Sequence, residues 1–267
     1  MQQKTIYYQN ATISYRVAGV GNTVMLLHGF GEDGTVWQHQ IDALKDYYRL
    51  IIPDLPGSGN SGFLPLANIE TYAQILKAII DIELQETEQN FSLIGHSLGG
   101  YIALAFAEKF PALLNSFGLF HSSAFADNEE KKEVRTKAIS FIKEKGAYSF
   151  LKTSIPGLFN EQFAADNQEY IDDLIEKSKA FTSAALTQYY EAMIDRPERI
   201  EVLKTFQKPV LFIIGEFDKA IPLESSLEQC HLHAISHVHI LTKSGHMSMY
   251  EETEKANKCL SEFLEQV

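Results

Sequence analysis

Eight short apolar runs, most of them separated by stretches with helical spacing, constrain this chain more than any other feature. They lie near Thr5 to Tyr8, and at Ile13 to Val17, Thr23 to Leu27, Arg49 to Ile52, Phe91 to Ile94, Ser116 to Phe120, Pro209 to Ile214 and Val238 to Leu241. Val24-Met25-Leu26-Leu27 shows no polar alternation, as expected of a strand covered on both faces. Between the runs, Val36 to Leu44, Thr71 to Leu84 and Leu98 to Phe110 read as helices, the last stopped by Pro111. A final helix is expected from about Glu251 to Leu264. Repeated strand–helix alternation predicts an α/β fold with a mostly parallel central sheet of about eight strands and helices on both faces.

One stretch breaks the rhythm. From Ser122 to Arg199 the pattern is almost wholly helical and partly charged, as in Glu129-Glu130-Lys131-Lys132-Glu133, and no buried strand is visible. That is too long for a single crossover. We therefore expect a core domain built from 1–121 and 200–267, with 122–199 inserted after the sixth strand as a helical cap.

At 267 residues the chain is long enough for one large α/β domain. A net charge of −12 argues against a broad surface for nucleic acid or anionic membrane, though it says little about a buried pocket. The two cysteines, Cys230 and Cys259, sit in no motif and read as reduced, packed side chains. The N-terminus carries no signal-like apolar stretch, and no run approaches the ~18 apolar residues of a membrane span. A cytoplasmic location is the expectation.

The chemistry centres on Gly95-His96-Ser97-Leu98-Gly99-Gly100, which falls between an expected strand and an expected helix. A serine on such a tight turn is held exposed above the sheet, with the N–H groups of the next helix beside it. A hydroxyl needs a base and an oxyanion hole to act as a nucleophile. His28-Gly29-Phe30-Gly31 follows an apolar run and is a candidate oxyanion loop. The backbone N–H groups of Phe30 and Leu98 are the expected donors, and His28 reads as a structural loop residue. Among nine histidines, His246 in Ser244-Gly245-His246-Met247 follows a strand and precedes the last helix, where open α/β sheets build their sites. Asp218 in Gly215-Glu216-Phe217-Asp218 follows the preceding strand and is the candidate orienting acid. Glu216 is its nearest rival and Asp195 a more distant one. His96 reads as a supporting residue outside the reaction.

The order Ser97, Asp218, His246 is that of an α/β-hydrolase triad. The chain resembles α/β-hydrolase-fold proteins with a helical cap over nearly its whole length. The likeness rests on His28-Gly29-Phe30-Gly31, Asp54-Leu55-Pro56-Gly57-Ser58-Gly59-Asn60-Ser61, the Ser97 pentapeptide, Gly215-x-x-Asp218 and Gly245-His246. The resemblance implies that the Asp54-to-Ser61 loop shapes the top of the sheet and that Trp37 is a packing residue of the helix after the oxyanion loop, with substrate contact as the alternative. Relatives that cleave carbon–halogen bonds or epoxides carry aspartate at the nucleophile position. Serine there argues against both reactions.

Other patterns carry less. His231-x-His233 and His237-x-His239 lack the acidic or cysteine companions of a metal site, and read as surface or edge histidines. No phosphate-binding glycine motif is present, and Gly57-Ser58-Gly59 reads as a turn. Phe30 and Met247 are candidate pocket residues. The expected activity is that of a serine hydrolase cleaving a small carboxylic ester through an acyl-enzyme, with no cofactor, no metal and a small-molecule substrate. Two alternatives share the scaffold. One is a carbon–carbon bond hydrolase of ring-cleavage products, with Arg135, Arg196 or Arg199 available to hold an anion. The other is a hydrolase-fold ligand receptor.

Overall fold

The structure is a computed structural model that describes residues 1–84 and 90–267. Its strands are β1 (Gln2–Tyr8), β2 (Ala11–Ala18), β3 (Thr23–Leu27), β4 (Arg49–Pro53), β5 (Phe91–His96), β6 (Leu114–Phe120), β7 (Val210–Gly215) and β8 (Ser236–Leu241). Among the described residues they make one sheet in the order β1-β2-β4-β3-β5-β6-β7-β8. The β1–β2 and β2–β4 pairs are antiparallel. The remaining pairs are parallel. Strands β3, β5 and β7 are buried along their whole length, which explains their unbroken apolar sequences. Edge strand β8 alternates instead, with Val238 and Ile240 exposed.

The helices are α1 (Gln38–Leu44), α2 (Ile69–Glu83), α3 (Leu98–Lys109), α4 (Glu129–Lys145), α5 (Ala147–Ser154), α6 (Glu161–Asp166), α7 (Gln168–Lys177), α8 (Ser183–Asp195), α9 (Ile200–Thr205), α10 (Leu223–Cys230), α11 (Ser248–Glu251) and α12 (Thr253–Leu264). Helix α2 starts where the Asn68 side chain accepts from the Thr71 N–H, and buries Tyr72, Leu76, Ile79 and Ile80 along one stripe. Helix α3 has no polar face through Ala107, because it lies between the sheet, α2 and α9. Helices α4 to α8 are the cap, placed between β6 and β7 as the missing strand signal predicted. Tyr189 on α8 ties the cap to the core: its hydroxyl donates to the Pro56 carbonyl at 2.8 Å and lies 2.8 Å from Ser58 Oγ. Among the described residues no helix is long and apolar enough to cross a membrane.

The structure corrects three local expectations. The stretch from Val36 to Leu44 does not form one helix. A 3-10 turn at Gly34–Trp37, capped by Asp33, precedes α1. The C-terminal helix is split at Glu252, whose backbone leaves the helical region (φ −133°, ψ 53°). The reason is local: the Glu252 carboxylate turns back to accept from the Lys243 N–H at 2.8 Å and the Ser244 hydroxyl at 2.9 Å. His233 is neither a surface nor an edge residue. It is buried, with its ring nitrogens 2.8 Å from the Leu203 carbonyl and 2.9 Å from the Lys208 carbonyl, so it clamps the approach to β7. Cys230 and Cys259 are buried free thiols, and burial pushes the Cys230 thiol up to about 11.

Strand register decides where the chemistry collects. Leu27 pairs with Gly95, His96 with Phe120, and Gly215 with Leu241. The loops that follow β3, β5, β6, β7 and β8 therefore open at the same edge of the sheet, the carboxyl-terminal edge where open α/β sheets place their sites.

Candidate active site

Ser97 occupies the turn between β5 and α3 with φ 51° and ψ −114°, a backbone region that side-chain-bearing residues rarely adopt. Its N–H donates to the Phe120 carbonyl at 2.9 Å, and its carbonyl accepts from the Ser122 hydroxyl at 2.7 Å. The turn is too tight for a side chain at Gly95, where a Cβ would lie 2.2 Å from the Gly99 carbonyl oxygen. The β3 loop presses against it from the other side: a Cβ on Gly29 would come within 3.1 Å of Ser97 Cβ. Leu98 opens α3, so its N–H has no i−4 helical partner. Phe30 sits one residue past Gly29, its ring stacked on Tyr190 of the cap at 4.2 Å.

Three side chains shape this loop. The ring of His28 accepts from the Leu55 N–H at Nε2 (2.9 Å) and donates to the Gly29 carbonyl from Nδ1 (2.8 Å), so it joins the loop to the Asp54 turn. Glu32 accepts from the Gly29 N–H at 2.6 Å and lies 2.9 Å from His96 Nδ1. Burial acts to raise the Glu32 pKa, but the His96 charge and hydrogen bond outweigh it and hold the carboxyl below its usual range. Asp54 accepts from Arg16 and the Gly34 N–H, both at 2.9 Å, and from the Asn60 N–H at 3.0 Å. It is thereby fully engaged in shaping the loop.

Asp218 and His246 meet. His246 Nδ1 lies 2.7 Å from Asp218 Oδ2, and both side chains are buried. The other carboxylate oxygen accepts from the Ala220 N–H at 2.8 Å and the Ile221 N–H at 2.9 Å. Burial would raise the Asp218 pKa. The positive charge on His246, with hydrogen bonds from His121 and His246, overrides that and holds the carboxyl well below the usual carboxylate range. For His246 burial disfavours the charged ring, but the Asp218 carboxylate prevails and raises its pKa above 6.5. Glu216 is exposed and Asp195 is exposed on α8. His96 does not face the reaction: its Nε2 donates to the His246 carbonyl at 3.0 Å.

Ser97 and His246 line one cavity of about 490 Å³ between core and cap, within the size range of small-molecule sites. Phe30 and Met247 line it too, with Leu151, Ile155 and Leu174 from the cap. Among the described residues the Ser97 hydroxyl has no hydrogen bond to His246. Such bonds are commonly long until substrate is bound. Trp37 is buried against Phe120 and His96 and is not part of the cavity wall. Of the three arginines near the cap, Arg135 alone reaches the cavity. Arg196 is committed to Asp127, Phe125 and Met193, and Arg199 to Glu70 and Glu108.

Sequence reasoning passed over two further groups here. Glu251 accepts from the N–H groups of Gly245 and Met247, each at 3.0 Å, and from the Asn160 N–H of the cap at 2.6 Å. Its partners are backbone amides, which leave no trace in a sequence. His121 follows β6 directly, and its Nδ1 lies 3.1 Å from the same Asp218 oxygen that His246 engages. Its place at a strand's carboxyl end was the available signal, the same one that singled out Asp218 and His246. His121, Asp218 and His246 are close enough together to suggest metal ligation. Both rings, however, aim a hydrogen-bonding nitrogen at one carboxylate oxygen, at N–O distances that hold a proton.

Comparison with known proteins places the fold. A model of the alpha/beta hydrolase fold family matches residues 22–253. Pimeloyl-[acyl-carrier protein] methyl ester esterase of Vibrio cholerae is 25% identical, with 93% of this chain and 96% of the relative aligned. The 2-hydroxy-6-oxo-2,4-heptadienoate hydrolase of Pseudomonas putida is 26% identical over 92% of this chain and 90% of its own. A thermophilic esterase from Thermogutta terrifontis superposes with a TM-score of 0.92 at 26% identity, covering 100% of this chain and 99% of that one. With its sheet order, inter-strand cap and matched length, this chain belongs to the α/β hydrolase fold family.

Proposed function

We propose that this hydrolase cleaves a small carboxylic ester through an acyl-enzyme on Ser97. The observation that carries the reading is the Asp218–His246 hydrogen bond of 2.7 Å beside a cavity that His246 shares with Ser97. Asp218 accepts a hydrogen bond from the Nδ1–H of His246, which leaves Nε2 of the neutral ring with a lone pair for the Ser97 proton. As Ser97 Oγ attacks the ester carbonyl, the N–H groups of Phe30 and Leu98 receive the negative charge that forms on oxygen. His246 then gives its proton to the departing alcohol. Water enters, His246 takes its proton, and the acid leaves with Ser97 restored.

Phe30 and Met247 border the acyl chain in this reading. The predominantly apolar cap wall suits a hydrocarbon acyl group, and the esterase relatives support the ester class. The test is hydrolysis of a p-nitrophenyl ester series of increasing acyl length, with methyl esters alongside. Ser97→Ala should abolish turnover of every member, and full turnover by that variant would sink the assignment.

One observation favours a second reading. Arg135 lines the cavity, and a carbon–carbon bond hydrolase acting on an anionic ring-cleavage product would use such a cation. The Pseudomonas putida relative supports that class of substrate. Asp127 already engages Arg135 at 2.5 Å but is shared with Arg196, so one carboxylate faces two guanidinium groups. A panel that sets ring-cleavage products against neutral esters separates the two readings by kcat/KM.

A further inference from the structure

His121 is a buried titratable group, hydrogen-bonded to the Asp218 side chain, that the proposed reaction does not use. It is locked in place from three sides. Its backbone adopts φ 50° directly after β6, and its N–H donates to the Ile213 carbonyl of β7 at 2.8 Å. Nδ1 lies 3.1 Å from Asp218 Oδ2, and Nε2 lies 2.7 Å from Ser248 Oγ. The ring does not line the cavity, so no substrate atom reaches it.

Proton accounting assigns its form. An ionised carboxylate only accepts, so the His121 proton is on Nδ1 and points at Asp218. Nε2 then carries a lone pair, and the Ser248 hydroxyl donates to it. Burial pushes the ring down to about 4, against the pull of Asp218, so His121 is neutral wherever His246 titrates. Asp218 consequently accepts four hydrogen bonds, two on each oxygen: Ala220 and Ile221 on Oδ1, His121 and His246 on Oδ2.

We propose that His121 is a positioning residue for the acid of the triad: its neutral ring fixes Asp218 Oδ2 on the His246 Nδ1 axis and takes up part of the negative charge that His246 would otherwise feel. The inference rests on the reading of Ser97, Asp218 and His246 given above. Removing the His121 donor leaves Oδ2 with His246 as its single partner. The carboxylate then turns more freely, which lowers kcat. It also attracts the His246 proton more strongly, which raises the pH at which the base becomes available. The other charged or titratable groups that bear on His246 are His96, Glu32 and Glu251. None of them is hydrogen-bonded to His121; the nearest is His96, whose ring centroid lies 6.0 Å from that of His121.

The experiment compares kcat and the acid limb of kcat/KM for wild type, His121→Leu and His121→Asn on one neutral p-nitrophenyl ester. An asparagine amide places an N–H where the Nδ1–H stood and does not titrate. For His121→Leu we expect kcat to fall about 10- to 100-fold, the scale of one hydrogen bond to a charged group, and the limb to move to higher pH by about half a unit or more. His121→Asn should return the limb to its wild-type position and recover most of kcat. A His121→Leu protein that stays folded with an unmoved limb overturns the proposal, as does an asparagine variant that shifts like the leucine one. Nitrogen-15 shifts of the wild-type ring give a reading that no variant can spoil by misfolding. A protonated Nδ1 and a bare Nε2 between pH 6 and 9 are expected, and the reverse tautomer refutes the assignment. Ser97→Ala in the same assay separates the two layers. If that variant still turns over, the reading of Ser97 has failed. If it is inactive while the His121→Leu limb stays still, only the role of His121 has failed.

Discussion

The amide of His246 donates to the carbonyl oxygen of Leu158 at 2.7 Å, so the loop that carries the candidate base is pinned to the cap. Glu251 reinforces the joint by bridging Asn160 in the cap to Gly245 and Met247 on either side of His246. Gly245 is required at this contact, because a Cβ there would lie 2.7 Å from the Leu158 carbonyl oxygen. Cap position and base position are thus set by the same few backbone atoms.

Glu251→Ala should therefore act on stability and activity together. It strands three backbone N–H groups, a loss of about 1–3 kcal/mol for each that stays buried without a partner. The measurement is a denaturant melt beside kcat/KM for one ester. We expect a lower midpoint and at least a several-fold loss of kcat/KM. A fully active variant of unchanged stability would show that the joint does not matter.

Asp218→Asn should preserve the shape of the site and remove its charge. The loss in kcat is expected to approach about 10⁴-fold, since an asparagine amide can present its N–H to His246 and favour the wrong tautomer. Glu216→Gln, at an exposed position two residues earlier, should stay within about two-fold of wild type, as surface changes generally do. Reversed outcomes would transfer the acid role to Glu216.

The pH dependence follows from the sign of the His246 shift. Its pKa is raised above 6.5, with burial opposing and the Asp218 carboxylate prevailing. A protonated ring cannot accept the Ser97 proton, so kcat/KM should fall as pH drops through a midpoint above 6.5. A rate profile on a substrate with no titrating group measures it directly. A midpoint well below 6.5 would show that Asp218 does not act on His246 as described.

Gly95→Ala tests the turn that presents Ser97. A methyl group there would lie 2.2 Å from the Gly99 carbonyl oxygen, so backbone must move. The expected cost is about 3–5 kcal/mol, the range of strongly destabilising single changes, and loss of hydrolase activity in whatever protein remains folded. Thermal melting and active-site labelling by a serine-directed phosphonate report the two effects separately.

Much of this molecule is readable along the chain because its signals are local. Unbroken apolar runs such as Val210 to Ile214 mark parallel strands, since burial on both faces leaves no polar positions. The absence of such a run between His121 and Lys208 locates the cap. Ser97, Asp218 and His246 each follow a strand within a few residues, so strand order alone brings them to one edge. What sequence could not supply lies in contacts between segments remote along the chain. The burial of His233 depends on carbonyls from Leu203 and Lys208. The joint at Glu251 depends on a cap amide 91 residues away. Ser97 began as a hydroxyl on a tight turn, and its order relative to Asp218 and His246 was legible from the chain. Only the tertiary structure decided that Asp218 serves two histidines, because hydrogen bonds between distant side chains depend on how strands pair, and pairing leaves no local pattern.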